Sequence, residues 1–87
     1  GTYLVDAQIP FYDFLSRFGK ADWASEEEYA FDTLAGCILQ ELERIPQTGD
    51  SLDWRGFHFE VIDMDGHRID KVLVKPSQEI IEGMEEE

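Results

Sequence analysis

FDTLAGCILQELERI, residues 31–45, is the longest helically periodic stretch of this 87-residue chain, and its reading decides the fold. Phe31, Leu34, Ile38, Leu42 and Ile45 recur at spacings of three and four, which places them on one face of a helix. Asp32 or Thr33 can cap the start by accepting a bond from an otherwise unpaired backbone N–H. Pro46 marks the end, because the residue before a proline is pushed out of helical geometry. Gly36 inside the helix costs about 1 kcal/mol relative to alanine. Close approach of another backbone, a strand or the first helix, is the expected compensation, with Cys37 acting as a small residue near that contact.

Upstream, Thr2 to Ile9 reads as a strand, with Tyr3, Val5, Ala7 and Ile9 alternating against Leu4, Asp6 and Gln8. Pro10 suits the first turn of a short helix whose apolar stripe is Phe11, Phe14, Leu15 and Phe18, with Gly19 as its stop. Lys20 to Glu28 reads as a polar loop around Trp23, with one helical turn at most. Its Ser25 to Glu28 stretch has the S-x-x-E form of a capping box.

Downstream of Pro46 the period changes from 3.6 to 2. Gln47 to Asp50 turns around Gly49, Ser51 to Trp54 is a short strand, and Arg55-Gly56 leads into a longer strand, Phe57 to Met64. Asp65-Gly66 signals a type I′ hairpin. With Met64 paired to His67, Asp63 faces Arg68, Ile62 faces Ile69, Glu60 faces Lys71 and Phe59 faces Val72. Two opposite-charge pairs and two apolar pairs favour that register. The last strand ends near Val74-Lys75-Pro76. The order strand, helix, helix, three strands describes an α+β domain, a mostly antiparallel sheet with two helices packed on one face. Residues 1–2 read as a linker remnant, 3–75 as the domain and 76–87 as an acidic, frayed tail. In that tail Ile80, Ile81 and Met84 make at most one amphipathic turn.

Net charge is −13, from 20 acidic against 7 basic side chains. That field repels phosphate backbones and anionic membrane surfaces, and it favours cations or a basic protein surface. Most of these charges are read as a solvated shell. Eleven aromatic side chains (six Phe, three Tyr, two Trp) supply bulky core material. The single cysteine, Cys37, excludes an internal disulfide and a multi-cysteine zinc site. No apolar run approaches the roughly 20 residues that span a bilayer, and no signal peptide is present. The chain begins with Gly1 rather than Met and is taken as a piece of something longer.

The catalytic vocabulary is thin. His58 and His67 are the two histidines, read as a sheet-surface residue and a hairpin flank, and no Ser-His-Asp or Cys-His-Asn pattern accompanies them. Asp63 and Asp65, two apart on a strand, are the candidate ligands for a hard cation such as Mg²⁺ or Ca²⁺, with Arg68 placed to pair one of them. No calcium-loop spacing, G-x-G-x-x-G or P-loop occurs, and Asp32 at the main helix start repels phosphate. Trp23, Trp54, Phe57 and Phe59 form either an exposed aromatic surface for a partner or the cover of a small core.

Several of these residues carry a family pattern. Tyr3-x-Val5-Asp6 with Ile9-Pro10, D-T-L-A-G at Asp32–Gly36, R-I-P at Arg44–Pro46 and Gly49-Asp50 resemble the CorC/HlyC transporter-associated domain. F-x-F-x-V-I-D-M-D-G-x-R-I at Phe57–Ile69 and V-x-V at Val72–Val74 fit it too, so the likeness covers residues 3 to 75. The chain departs at Ala7, where the family usually has glycine. The resemblance implies a fold similar to a flavin-binding α+β fold. It also implies a position after a pair of cystathionine-β-synthase-type (CBS) domains, in proteins linked to magnesium and cobalt efflux or labelled hemolysin-related. No catalytic residues come with it. The implied function is a non-enzymatic, cytoplasmic regulatory domain that modulates ion transport. Its partners are the CBS domains and membrane region of a parent chain, or a second copy. The expected contact surfaces are the sheet face bearing His58, Glu60 and Lys71, and the aromatic group around Trp54. No cofactor is required. Alternatives are a sensor for flavin adenine dinucleotide (FAD) or another adenine nucleotide, and a divalent-cation sensor.

Overall fold

The computed structural model describes residues 2–25 and 31–85. Four antiparallel strands, β1 (Tyr3–Asp6), β2 (Ser51–Trp54), β3 (Phe57–Asp65) and β4 (Arg68–Pro76), form one sheet in the order β1-β4-β3-β2. Helices α1 (Phe11–Arg17) and α2 (Leu34–Leu42) connect β1 to β2, with a 3₁₀ turn at Ala21–Ser25 between them. The α+β reading holds. The capping-box reading at Ser25 to Glu28 extends beyond the described residues, as does that of Gly1 in the linker remnant.

Alternation decides which face of the sheet is apolar. Phe57, Phe59 and Val61 of β3, with Val72 and Val74 of β4, are all within 1 % of full burial. Phe11, Phe14, Leu15 and Phe18 of the first helical stretch, and Leu34, Cys37 and Ile38 of α2, close over them as one core. Cys37 is fully buried, and burial, then the nearby Glu41 carboxylate, pushes its thiol up to about 12.

The helix 34–42 is shorter at both ends than its apolar period. The N–H groups of its first three residues, which have no partner within the helix, are all accounted for, and Cys37 N–H makes the first bond within it. Leu34 donates to Ile9 O (3.1 Å), Ala35 to Ala7 O (2.8 Å), Gly36 to the Thr33 hydroxyl (3.1 Å) and Cys37 to Thr33 O (3.3 Å). Of the two expected caps, Thr33 is the one used. The helix stops before Pro46 is reached, because Glu43 takes a left-handed conformation (φ 57°) and donates to Leu39 O at 3.0 Å. Ile45 is accordingly 53 % exposed and leaves the core. The compensation expected at Gly36 is also absent. A Cβ there would meet only Thr33 Oγ1 at 3.7 Å and Phe31 Cβ at 3.8 Å, ordinary van der Waals contacts.

The first strand ends at Asp6 rather than Ile9. The Asp6 carboxylate accepts from Gln8 N–H (2.9 Å) and its carbonyl from Ile9 N–H (3.1 Å), which turns the chain at the buried Ala7.

The expected hairpin register slips by two residues. Asp65 faces Arg68 and Phe59 faces Val74, so the turn residues are Gly66 and His67. Of these two only Gly66 has positive φ (63°), as in a type II′ turn. A two-residue slip keeps every inward side chain inward, which is why the core reading survives it. Pairing also jumps between Val61 and Asp63, and again between Asp63 and Met64. The extra residues are Ile62 on β3 and Asp70 on β4. Val61 and Met64, like Ile69 and Val72, are three apart, and a strict two-residue period cannot put both members of each pair inward. The bulges do so: Ile69 is buried and Met64 packs on the core, while Ile62, expected to face Ile69, is 37 % exposed.

The stretch read as a frayed tail contains a third helix, α3 (Gln78–Glu85). Ser77 N–H donates to Gly56 O at 2.8 Å, and Ile80 is only 4 % exposed. Gly56 has positive φ (91°), which the hairpin turn needs, and Ile80 Cδ1 packs over it, 3.0 Å from where a Cβ would stand.

Candidate functional site

Every helix of the described residues contributes its buried residues to one side of the sheet, and none of them covers the other side. Three rows of side chains cross that outer face. Asp53 faces His58, which faces Lys75; Ser51 faces Glu60, which faces Leu73, which faces Leu4; Asp63 faces Lys71, which faces Asp6. The middle row is apolar at the β1 end, where Leu4 is 63 % exposed. Charges frame it on both flanks. The sheet-face reading of His58, Glu60 and Lys71 therefore places three residues that do share a surface.

His58 Nδ1 lies 2.7 Å from Asp53 Oδ1 across the β2–β3 pair. Lys71 Nζ is 3.7 Å from Asp70 Oδ1 beside the bulge. A shallow hollow lined by Asp53, Gly56, Phe57, His58, Lys75, Pro76 and Ser77 adjoins the His58 end of the face.

Trp54 does not belong to it. It is 5 % exposed and points to the core, where its ring lies 5.6 Å from Phe11, 6.3 Å from Phe57 and 6.4 Å from Phe59. The cause is parity: Trp54 faces the inward Phe57, whereas its neighbour Asp53 faces the outward His58. The aromatic group around Trp54 is core cover, not a contact surface. Trp23 sits at its rim, with the Arg55 guanidinium 3.9 Å and Lys20 Nζ 5.5 Å from its ring centre.

Asp63 and Asp65 stay apart from any third ligand. Asp65 is 3.4 Å from Arg68, and Asp63 faces Lys71. No group of three or more His, Cys, Asp or Glu side chains is arranged to hold a metal among the described residues. The first-turn N–H groups of α2, the natural place for a nucleotide phosphate, are all engaged inside the protein.

Arg44 and Asp50 form an ion pair that sequence reading missed. Arg44 Nη1 meets Asp50 Oδ2 at 2.7 Å, and Gln47 N–H donates to the same oxygen at 2.8 Å. The Arg44 hydrogen bond, then the Gln47 N–H, holds the Asp50 carboxyl below its usual range. The same contact raises Arg44. The pair clamps the loop leading into β2. Its sequence signal was the R-I-P…G-D spacing, which matched a family pattern without showing that its two ends touch.

A family model described as the transporter associated domain CorC_HlyC matches residues 1–78. UPF0053 protein sll0260 of Synechocystis sp. is 41 % identical over the whole chain, which spans 19 % of that protein. The polyamine export protein of Salmonella typhimurium is 33 % identical over 84 % of this chain and 16 % of its own length. The magnesium and cobalt efflux protein CorC of Escherichia coli is 35 % identical over 85 % of this chain and 24 % of its own length. The chain thus spans less than a quarter of these relatives. Among solved structures, a CorC_HlyC domain from a Xylella fastidiosa hemolysin, in complex with Mg++ and Mn++, superposes with a TM-score of 0.71 at 34 % identity, covering 87 % of each chain. The transporter associated domain of a CBS domain protein from Porphyromonas gingivalis gives 0.79 at 28 % identity, covering 90 % of this chain and 91 % of that one.

Proposed function

Because the chain belongs to the CorC/HlyC transporter-associated domain family, we propose that it is a non-catalytic regulatory domain of a longer CBS-domain protein that exports cations. It acts from the cytoplasmic side by docking on the CBS domains or membrane region of its parent chain. The observation that carries this reading is the outer face of the sheet, where a row ending in Leu73 and Leu4 runs between charged flanks and no helix of the described residues covers it. Such a face, once docked in one state of a transporter and not in another, biases the equilibrium between them. The family is a transporter-associated one rather than a catalytic one. The cargo class is drawn from relatives named for polyamine export and for magnesium and cobalt efflux. No helix among the described residues is long and apolar enough to cross a membrane, which leaves translocation to other segments.

The test is charge reversal at two half-buried positions of the face, Glu60→Lys with Lys71→Glu, in the parent protein. Cation export should lose its normal dependence on cargo concentration while the protein still inserts into the membrane. Export kinetics identical to the wild type would overturn the docking role.

A second reading, divalent-cation binding, is favoured by the Mg++ and Mn++ complex of the Xylella relative. Asp63 and Asp65 are the residues to examine, and a bound cation would have to displace Arg68 from Asp65. Calorimetric titration with Mn²⁺ decides it. Saturable binding weakened by Asp63→Asn supports a sensor, and no heat removes it.

A further inference from the structure

No strand of the described residues pairs with the outer edge of β1, and what that edge presents fits one partner. Ala7 N–H donates to Asp70 O at 2.9 Å, next in register to the Asp6–Lys71 pair. Alternation therefore directs the backbone groups of Tyr3 and Val5 to β4 and those of Leu4 outward, to the open edge. Natural edges are blunted by charge, proline or a bulge. From Thr2 to Val5 this one has none of them, and Leu4 and Tyr3 are 63 % and 43 % exposed. Beneath the edge runs a groove lined by Tyr3, Leu4, Val5, Phe14, Arg17 and Phe18. Arg17 makes no ion pair among the described residues.

We propose that this edge is a strand-addition site for β1 of a second copy, the two strands pairing antiparallel about a two-fold axis through Leu4. The result is a continuous eight-stranded sheet with all helices on one side. The register follows from symmetry. A two-fold perpendicular to the sheet keeps inward residues inward, so only residues of like parity face one another. With Leu4 on the axis, Leu4 faces its own copy in a hydrogen-bonded pair and Tyr3 faces Val5 over the groove. Centring on Val5 instead would set Leu4 against Asp6, an apolar side chain against a charge. The charges of α1 are self-complementary across the same axis. Arg17 of each copy looks towards the other copy's α1, where exposed Asp13 stands one turn from its own Arg17. The edge shares Leu4 with the outer face, but its backbone pairing lies in the plane of the sheet, so this pairing stands whether or not that face docks on a neighbouring domain. Two bodies of charge −13 repel, so salt tightens the dimer rather than loosening it.

Cysteine cross-linking of this chain tests the register; solved structures of single domains of the same size support its use alone. In a hydrogen-bonded antiparallel pair the Cα atoms are about 5.5 Å apart, within disulfide reach. Leu4→Cys should form a covalent dimer at least about tenfold faster than Ser51→Cys on the opposite edge, with buried Cys37 silent in both. In sedimentation, the wild-type dimer fraction should rise between about 0.05 and about 0.5 M NaCl. Leu4→Lys, a change at an exposed position that leaves the circular dichroism unaltered, should be monomeric throughout. Equal cross-linking at both edges, a dimer that survives Leu4→Lys, or a monomer at about millimolar concentration in high salt would each overturn the pairing.

Discussion

Replacing Gly36 with alanine sets the sequence and the structure against each other. Read from sequence, a glycine in the middle of the main helix implies a backbone packed against it, and a methyl group there would clash. In the structure the nearest atoms to an added Cβ are Thr33 Oγ1 at 3.7 Å and Phe31 Cβ at 3.8 Å, and neither must move. What is left is the backbone entropy that glycine loses on folding, about 0.5–1 kcal/mol relative to alanine. Gly36→Ala should therefore stabilise the domain by about that amount, which for a chain of this size raises Tm by roughly 3–6 °C. Urea unfolding followed by circular dichroism measures it, with an unchanged slope showing that the gain lies in stability rather than in a changed unfolded state. The Thr33 cap shares this turn, so Thr33→Ala in the same background should still cost about 1 kcal/mol. A loss of about 1 kcal/mol or more on Gly36→Ala, with the cap effect intact, would refute the reasoning and reinstate the close contact.

Glu43→Gly should stabilise by about 1 kcal/mol in the same urea assay, because Glu43 pays the left-handed penalty (φ 57°) that glycine does not. Cys37, buried and with its thiol pushed up to about 12, should resist an aromatic disulfide reagent at pH 8 and react only as fast as the domain opens. Asp50 is held below its usual range in the folded state, so its pairing with Arg44 adds stability above the unfolded carboxylate pKa and loses it as pH falls through the folded value. Asp50→Asn should flatten the acid limb of a Tm-against-pH curve below about pH 4, and a limb of unchanged slope would show that the clamp contributes nothing.

Local signals were the legible ones. Pro10 followed by Phe11, Phe14, Leu15 and Phe18 specifies α1, and Thr33 could be named as a cap because capping is settled within one turn. The inward set on β3 and β4 was legible because a two-residue period survives a two-residue slip. The register itself was not, since Asp-Gly suits a type I′ turn whereas Gly66 at the first central position makes the tighter fit here. The bulges at Ile62 and Asp70 show only when both strands are aligned. Ile80 could not be placed in the core because it packs over Gly56, more than 20 residues away in the chain. Of the candidate surface, His58, Glu60 and Lys71 followed from parity. Trp54 was misplaced where the same parity, applied across β2, would have turned it inward.

Hydroxyl-radical footprinting of this domain, alone and within its parent chain, tests the docking account most directly because it reads side-chain access. The account predicts that His58 and Ile62 on the outer face are labelled more slowly in the parent chain, while Tyr12, 59 % exposed on α1, is labelled equally in both. Equal labelling of His58 and Ile62 in the two states, under conditions where the parent transports, would contradict it.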